Sequence, residues 1–105
     1  MQTFTALSEP SRRRLLAGLL DGERTVSYLV EQTGLSQPAV SKHLRILRDA
    51  GLVTVRPDGQ RRLYRLEAEP LAELDAWLEP YRKFWMTRLD ALERHLNAPE
   101  TEEQR

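Results

Sequence analysis

The chain has 105 residues, a formal net charge of zero at pH 7 and no cysteine. Its length fits a single domain with one modest core, and the lack of thiols excludes disulfides, cysteine nucleophiles and cysteine-based zinc sites. The sequence does not open on a basic stretch followed by an apolar run, and no segment has the roughly 18 apolar residues that span a bilayer, so we expect a soluble cytoplasmic protein without a membrane partner.

The zero net charge conceals an uneven distribution along the chain. Residues 1–66 hold 11 Lys and Arg against 6 Asp and Glu, a net charge of +5, whereas residues 67–105 hold 5 against 10, a net charge of −5. A basic body favours a polyanionic partner such as nucleic acid. The alternative is a solvated surface whose charges are merely uneven, and the positions of the cations must decide between the two.

Two helices are predicted at the start of the chain. The first covers about Gln2 to Leu7, and the second begins around Glu9, with Ser8 as its N-cap. Gly22 is expected to close the second helix in a left-handed conformation, and Gly18 within it predicts a close contact with another helix. The predicted apolar face consists of Leu15, Leu16, Leu19 and Leu20.

The next two helices are joined by a very short connection. Thr25 can cap a third helix that ends at Gly34, and Ser36 can cap a fourth helix that runs to about Ala50. Because only "TGLS" joins them, the two helices must cross at a large angle, as in a helix-turn-helix. The predicted buried stripe of the fourth helix consists of Val40, Leu44 and Leu47, widened by Ile46.

The opposite side of the fourth helix carries side chains suited to reading DNA. The major groove of B-DNA admits one α-helix, and its base edges are read by side chains that donate or accept hydrogen bonds. His43 lies at the edge of the buried stripe, so its ring could contact DNA or pack against the body. The DNA-reading candidates are Gln37, Ser41, Lys42, His43 and Arg45. The alternative is that these side chains only form a solvated polar face.

A β-hairpin follows the fourth helix. The turn sequence Pro57-Asp58-Gly59 separates two β-compatible runs, about Val53 to Arg56 and Arg61 to Leu66. Arg56, Arg61 and Arg62 are placed where phosphates or a minor groove could meet them. The order of elements predicts a mainly α fold with a β-hairpin wing, a winged helix-turn-helix.

The helical pattern returns from Pro70 to about Asn97, and Pro80 should kink this element or split it in two. Its aromatic and leucine stripe suggests a dimer core, because a chain this small has little core of its own. The alternative is a small-molecule pocket at the dimer interface, lined by Trp77, Tyr81, Phe84 and Trp85. We therefore divide the chain into a DNA-binding body (1–66), a C-terminal dimerisation helix (67–97) and a flexible tail (98–105). The expected dimer contacts are Phe4, Leu74, Leu78, Tyr81, Trp85 and Leu92.

Three stretches resemble the ArsR/SmtB winged-helix repressors: "LSEPSRRRLLAGL", "LSQPAVSKHLRILRDAGLV" and "DGQRRLYRL". The resemblance covers about residues 4–66 closely and the terminal helix more loosely. It implies a homodimeric repressor that binds double-stranded operator DNA with an inverted repeat. It also implies base contacts from Ser36, Gln37, Ser41 and His43, with base or phosphate contacts from Lys42 and Arg45.

The chain departs from the metal-sensing members of that family. Where many of them carry "ELCVCDL" this chain has "ERTVSYL", with Thr25 and Ser27 at the thiolate positions. His95 is the only histidine in the terminal helix, and one imidazole among scattered carboxylates makes a poor zinc site. We expect no metal and no cofactor, as in a cysteine-free subgroup of the family that the terminal helix resembles. The sequence does not identify an effector.

Two other classes of function remain as alternatives. An enzyme would need an assembled site, and the chain has no nucleophile elbow, glycine-rich phosphate loop or paired histidine motif. A winged helix that binds protein would be expected to show apolar anchors on its recognition face, where this chain has Gln37, Ser41 and Arg45. Both are disfavoured against DNA binding.

Overall fold

The computed structural model describes residues 2–97, and the predicted flexible tail lies outside them. Helices and a hairpin follow one another as in a winged helix-turn-helix, which confirms the predicted fold class. The described residues form two compact units, which are divided between Glu73 and Leu74. The elements are α1 (Gln2–Leu7), α2 (Pro10–Ala17), α3 (Val26–Thr33), α4 (Gln37–Asp49), β1 (Val53–Asp58), β2 (Arg61–Leu66) and α5 (Glu69–Leu96).

The core of the first unit is built from aliphatic side chains of α1 to α4 and the start of β1. The predicted stripe of α4 is confirmed, because all three of its residues are at most 1% exposed. Burying one such side chain is worth about 1.5–3 kcal/mol, so α4 is held with its polar side outward. The buried set is Ala6, Leu15, Leu16, Leu19, Leu29, Val40, Leu44, Leu47, Leu52 and Val53.

The ends of α3 and α4 follow the predicted capping chemistry. The Thr25 hydroxyl accepts a hydrogen bond from the Tyr28 amide at 3.1 Å, and the Ser36 hydroxyl accepts one from the Ala39 amide at 3.3 Å. Gly34 ends α3 in the left-handed conformation, with φ of 73°, a region that glycine enters without the steric cost of a Cβ. Gly34 and Ser36, the two caps that lie between α3 and α4, fix the tight turn there.

The limits of α2 differ from the prediction. Glu9, not Ser8, is the N-cap, because its carboxylate accepts a hydrogen bond from the Ser11 amide at 2.7 Å. The helix ends at Ala17, so Leu20 falls outside it and is 71% exposed. The predicted close contact at Gly18 is confirmed, since a Cβ there would lie 3.1 Å from Cδ2 of Leu29.

Three consecutive arginines of α2 bind the carboxyl ends of neighbouring helices. Arg12 donates to the carbonyl of Ala6 at 2.6 Å and Arg13 donates to that of Leu7 at 2.7 Å, both in the last turn of α1. Arg14 donates to the carbonyl of Thr33, the last residue of α3. Helix ends leave carbonyls without backbone partners, so these three cations have structural roles inside the body.

The hairpin is antiparallel, with a register that runs from Val53 opposite Leu66 to Asp58 opposite Arg61. Its first strand is two residues longer than predicted, and Gly59 in the turn has φ of 63°. Arg24 forms a backbone bridge to Tyr64, with N–O distances of 3.0 and 2.8 Å. This bridge ties the wing to the segment before α3.

Helix α5 is continuous, so Pro80 does not split it in two, and the predicted kink stays a prediction. Proline removes one backbone donor, a local cost, and Arg82 contacts the turns that precede it. Its guanidinium binds the carboxylates of Asp75 and Glu79 and donates to the Asp75 carbonyl at 2.9 Å. Among residues 2–97, no helix is both long and apolar enough to cross a membrane.

Candidate nucleic-acid interface

The solvent-facing side of α4 carries most of the predicted base-reading side chains. The predicted contact residues Ser36, Gln37, Ser41, Lys42 and Arg45 are all exposed. They have this position because α4 buries the opposite stripe. The oxygen of Ser36 is engaged by the Ala39 amide, but a hydroxyl can still donate its proton elsewhere.

A cleft between α4 and the wing is lined by two of these side chains, Ser41 and Arg45, and by a cation of the wing, Arg62. Its volume is about 180 Å³, and Arg62 of β2 lies across it from α4. The guanidiniums of Arg45, Arg48 and Arg62 form no hydrogen bond or ion pair with any residue from 2 to 97, so they are open to an anion. The cleft is lined by Ser41, Leu44, Arg45, Arg48, Arg62 and Tyr64.

Arg48 and Tyr64 were not among the predicted site residues. The helical period indicates the position of Arg48, because it follows Ser41 by seven residues and Arg45 by three and therefore shares their face. Tyr64 lies two residues after Arg62 on β2, so the two side chains share one face of the hairpin. Both signals are present in the sequence once the elements are assigned.

The other two predicted wing cations are engaged in ion pairs. Arg56 binds the carboxylate of Glu23 through two hydrogen bonds of 2.7 and 3.0 Å, and Arg61 binds Asp58 at 2.7 Å. The hydrogen bond from Arg56 lowers the pKa of Glu23 and raises that of Arg56 itself. The hydrogen bond from Arg61 lowers the pKa of Asp58. These two arginines are therefore partly neutralised, whereas Arg62 is not.

His43 lies outside the cleft between α4 and the wing. The side chain is half-buried, and its Nδ1 is 3.4 Å from Nη1 of Arg12 on α2. The structure thus gives His43 a packing partner in the body and leaves its predicted DNA contact open.

A second cleft lies at the start of α3, where Thr25 and Ser27 take the thiolate positions of the metal-sensing members. This cleft of about 520 Å³ is lined by Thr25, Val26 and Ser27 together with Gln60, Arg61 and Arg62. No lining side chain is a cysteine, a histidine or a carboxylate. Over residues 2–97 no three His, Asp or Glu side chains come together as a metal-binding group.

Helix α5 presents a long apolar face. The two rings of Trp77 and Tyr81 stack with centroids 4.7 Å apart, and Arg88 lies over the ring of Phe84 at 4.8 Å. The exposed large apolar side chains of this helix, from Trp77 to Leu96, are 39% to 72% exposed in the single chain, whereas Leu74 and Leu78 are half-buried. An apolar surface of this extent marks an interaction site.

Residues 9–55 match the family model of bacterial regulatory proteins of the arsR family. An HTH-type transcriptional regulator of Mycobacterium tuberculosis is 38% identical over 88 residues, which make up 84% of this chain and 79% of that protein. The chain belongs to the arsR family. The matched residues run from the N-cap of α2 to the first strand of the wing, so they contain the whole helix-turn-helix.

A second relative is matched over a smaller share of its length. The probable mercury resistance operon repressor of Streptomyces lividans is 45% identical over 71 residues, 68% of this chain. This chain spans 57% of the length of that repressor.

Solved structures of the family share this fold. A possible transcriptional regulator for arsenical resistance is 42% identical, with a TM-score of 0.71 over 95% of this chain and 99% of the other. A homodimeric winged helix-turn-helix DNA-binding domain from Mycobacterium bovis, solved by NMR, is 28% identical, with a TM-score of 0.64 over 94% and 82% of the two chains. The recognition of the family and the predicted winged helix-turn-helix are thereby confirmed.

Proposed function

We propose that this protein is a sequence-specific regulator of transcription that acts in the cytoplasm as a homodimeric repressor. It binds an inverted-repeat operator in double-stranded DNA, with one α4 helix in each half-site. The observation that carries the proposal is the cleft in which Ser41, Arg45 and Arg48 of α4 meet Arg62 of the wing. A helix in the major groove and an arginine beside it can contact base edges and the flanking phosphates together.

The apolar face of α5 supports the homodimer. Its residues recur at intervals of eleven, as in Leu74, Trp85 and Leu96, and also in Leu78 and Leu89. Eleven residues span just over three whole turns, so the stripe stays nearly straight along the helix. A second copy of the same helix is the partner that covers it, because a two-fold axis brings identical stripes together.

A selection experiment tests the proposal. The full chain is incubated with a random duplex library, and the bound DNA is recovered and sequenced over several rounds. We expect an inverted repeat with half-site centres about 10 to 10.5 base pairs apart, or a multiple of that spacing. The reason is that the two symmetry-related α4 helices of a dimer enter the major groove on one face of the duplex, one helical turn apart. Recovery of no shared motif, or of a single half-site without symmetry, would contradict the proposal.

Substitutions in α4 separate specific from nonspecific binding. Gln37→Ala should reduce discrimination at one position of each half-site, by roughly 1–3 kcal/mol per base pair. Arg94→Ala in α5 is the control, since it also removes an exposed polar side chain but lies outside α4 and the wing. Placed upstream of a reporter gene, the selected site should reduce expression when the protein is supplied; an increase would identify an activator instead.

A further inference from the structure

Arg12 contacts one ring nitrogen of His43, and the chemistry of a guanidinium limits which hydrogen bond this contact can be. A guanidinium has five N–H donors and no acceptor. A hydrogen bond across the 3.4 Å between Nη1 of Arg12 and Nδ1 of His43 therefore requires a free lone pair on Nδ1. In a neutral imidazole the proton is then on Nε2, which becomes a donor.

The position of Arg12 is fixed by the end of α1. Its Nε donates to the carbonyl of Ala6 at 2.6 Å, and its Nη2 donates to the carbonyl of Thr5 at 3.2 Å. Those contacts leave Nη1 to face His43. The guanidinium is therefore held in place by the last turn of α1 before any DNA is present.

The other ring nitrogen of His43 is accessible to solvent. Nε2 forms no hydrogen bond with any residue from 2 to 97, and it is not among the enclosed polar atoms of that part of the chain, so solvent reaches it. The charged groups that act on the ring from α2 and its N-cap are Arg12 and Glu9. His43 thus has one nitrogen bound to the body and one free on the recognition helix.

We propose that Arg12 is a positioning residue that holds His43 in the Nε2–H form, so that His43 presents a hydrogen-bond donor to DNA. This inference rests on the proposed function and specifies the chemistry of one contact. A donor at this position pairs with an acceptor: a purine N7, guanine O6, thymine O4 or a phosphate oxygen. It does not pair with the amino groups of cytosine or adenine.

The tautomer can be measured on the free protein by ¹⁵N-detected histidine NMR, independently of DNA binding. At a pH of about 8, where an ordinary imidazole is neutral, we expect a protonated Nε2 and an unprotonated Nδ1 for His43. His95, the second histidine of the chain, is the internal reference. The reverse tautomer at His43, or a mixture equal to that of His95, would overturn the proposal.

Paired arginine variants test the cause of the tautomer. Arg12→Met removes the donors and should shift His43 toward the mixture seen at His95. Arg13→Met is the matched control, because Arg13 also binds a carbonyl of α1 but has no contact with a histidine. The chemical shifts of α1 amides report whether either variant unfolds that helix. An unchanged His43 tautomer in Arg12→Met, with α1 intact, would refute the role of Arg12.

Two amide substitutions test the donor in the complex. The side-chain nitrogen of His43→Gln can occupy the place of Nε2, whereas that of His43→Asn reaches only the place of Nδ1. We expect His43→Gln to bind the selected operator nearly as well as the parent, and His43→Asn and His43→Ala to lose roughly 5- to 150-fold. Equal affinities for the Gln and Asn variants would overturn the proposal. If the parent protein selects no operator, the proposed function fails, while the NMR result still decides the tautomer.

Discussion

The dependence of operator binding on salt should reveal which cations of the body reach phosphates. Four exposed cations on α4 and the facing wing strand form no ion pair with any described residue: Lys42, Arg45, Arg48 and Arg62. A dimer therefore offers eight such cations. With about 0.9 counterions released per phosphate contact, the slope of log K against log salt should be about −7. Affinity should then fall by about 10⁴-fold between 50 and 200 mM salt.

Removal of one unpaired cation should lower that slope by a predictable amount. Arg62→Gln removes two phosphate contacts per dimer, which leaves a slope of about −5.4 and a fall of about 2 × 10³-fold over the same range. Fluorescence anisotropy of a labelled operator, titrated at four or more salt concentrations, measures the slope directly. Affinity at a single salt concentration is not sufficient, because many unrelated defects weaken binding.

The ion pair between Arg56 and Glu23 provides the matched control. The double variant Arg56→Gln/Glu23→Gln removes one cation and one anion together, so the net charge of the DNA-binding body is unchanged. We expect the slope of this variant to stay near −7, because Arg56 is already bound by a carboxylate. A slope that falls as far as in Arg62→Gln would show that Arg56 leaves Glu23 to bind DNA. An unchanged slope in Arg62→Gln would refute the assignment of the cleft.

Three further predictions concern dimerisation, acid stability and metals. Trp85→Asp should give a monomer in sedimentation, because an unpaired charge would be buried in the shared apolar face. Lys83→Asp, on the other side of α5, should remain dimeric. A dimeric Trp85→Asp would show that this face is not the dimer interface. Lowered carboxyl pKa values mean that the unfolded state binds more protons, so the thermal midpoint should fall as the pH drops below about 4.5. Glu67→Gln should reduce this acid sensitivity. A variant whose thermal midpoint had the same pH profile as the parent's would contradict the contribution of Glu67. The groups with lowered pKa are Glu9, Glu23, Asp58 and Glu67. Zinc, cadmium or arsenite at micromolar concentration should not release the operator, since Thr25 and Ser27 provide no thiolate; release that a chelator reverses would reveal a site not foreseen here.

The order and ends of the elements could be predicted from the sequence because the signals are local. A capping hydroxyl acts on an amide three residues away, as Thr25 and Ser36 do, and a left-handed glycine ends the helix that it follows, as at Gly34. The spacing of Val40, Leu44 and Leu47 fixed the buried side of α4 and hence its exposed side. The errors also arose locally: Glu9 took the capping position expected for Ser8, and Pro80 did not interrupt α5.

Tertiary structure decided which polar side chains are free to bind a partner. The sequence shows eleven cations in residues 1–66 but does not distinguish Arg12, which holds the end of α1, from Arg62, which is open to solvent. It also does not pair Arg56 with Glu23, thirty-three positions away. Such pairings depend on where distant elements meet, since an ion pair forms within a few ångströms regardless of separation along the chain. Local patterns therefore determined the fold and the recognition helix. Only the packing of α1, α2 and the wing around that helix determined which nearby cations are paired and that Arg12 contacts His43.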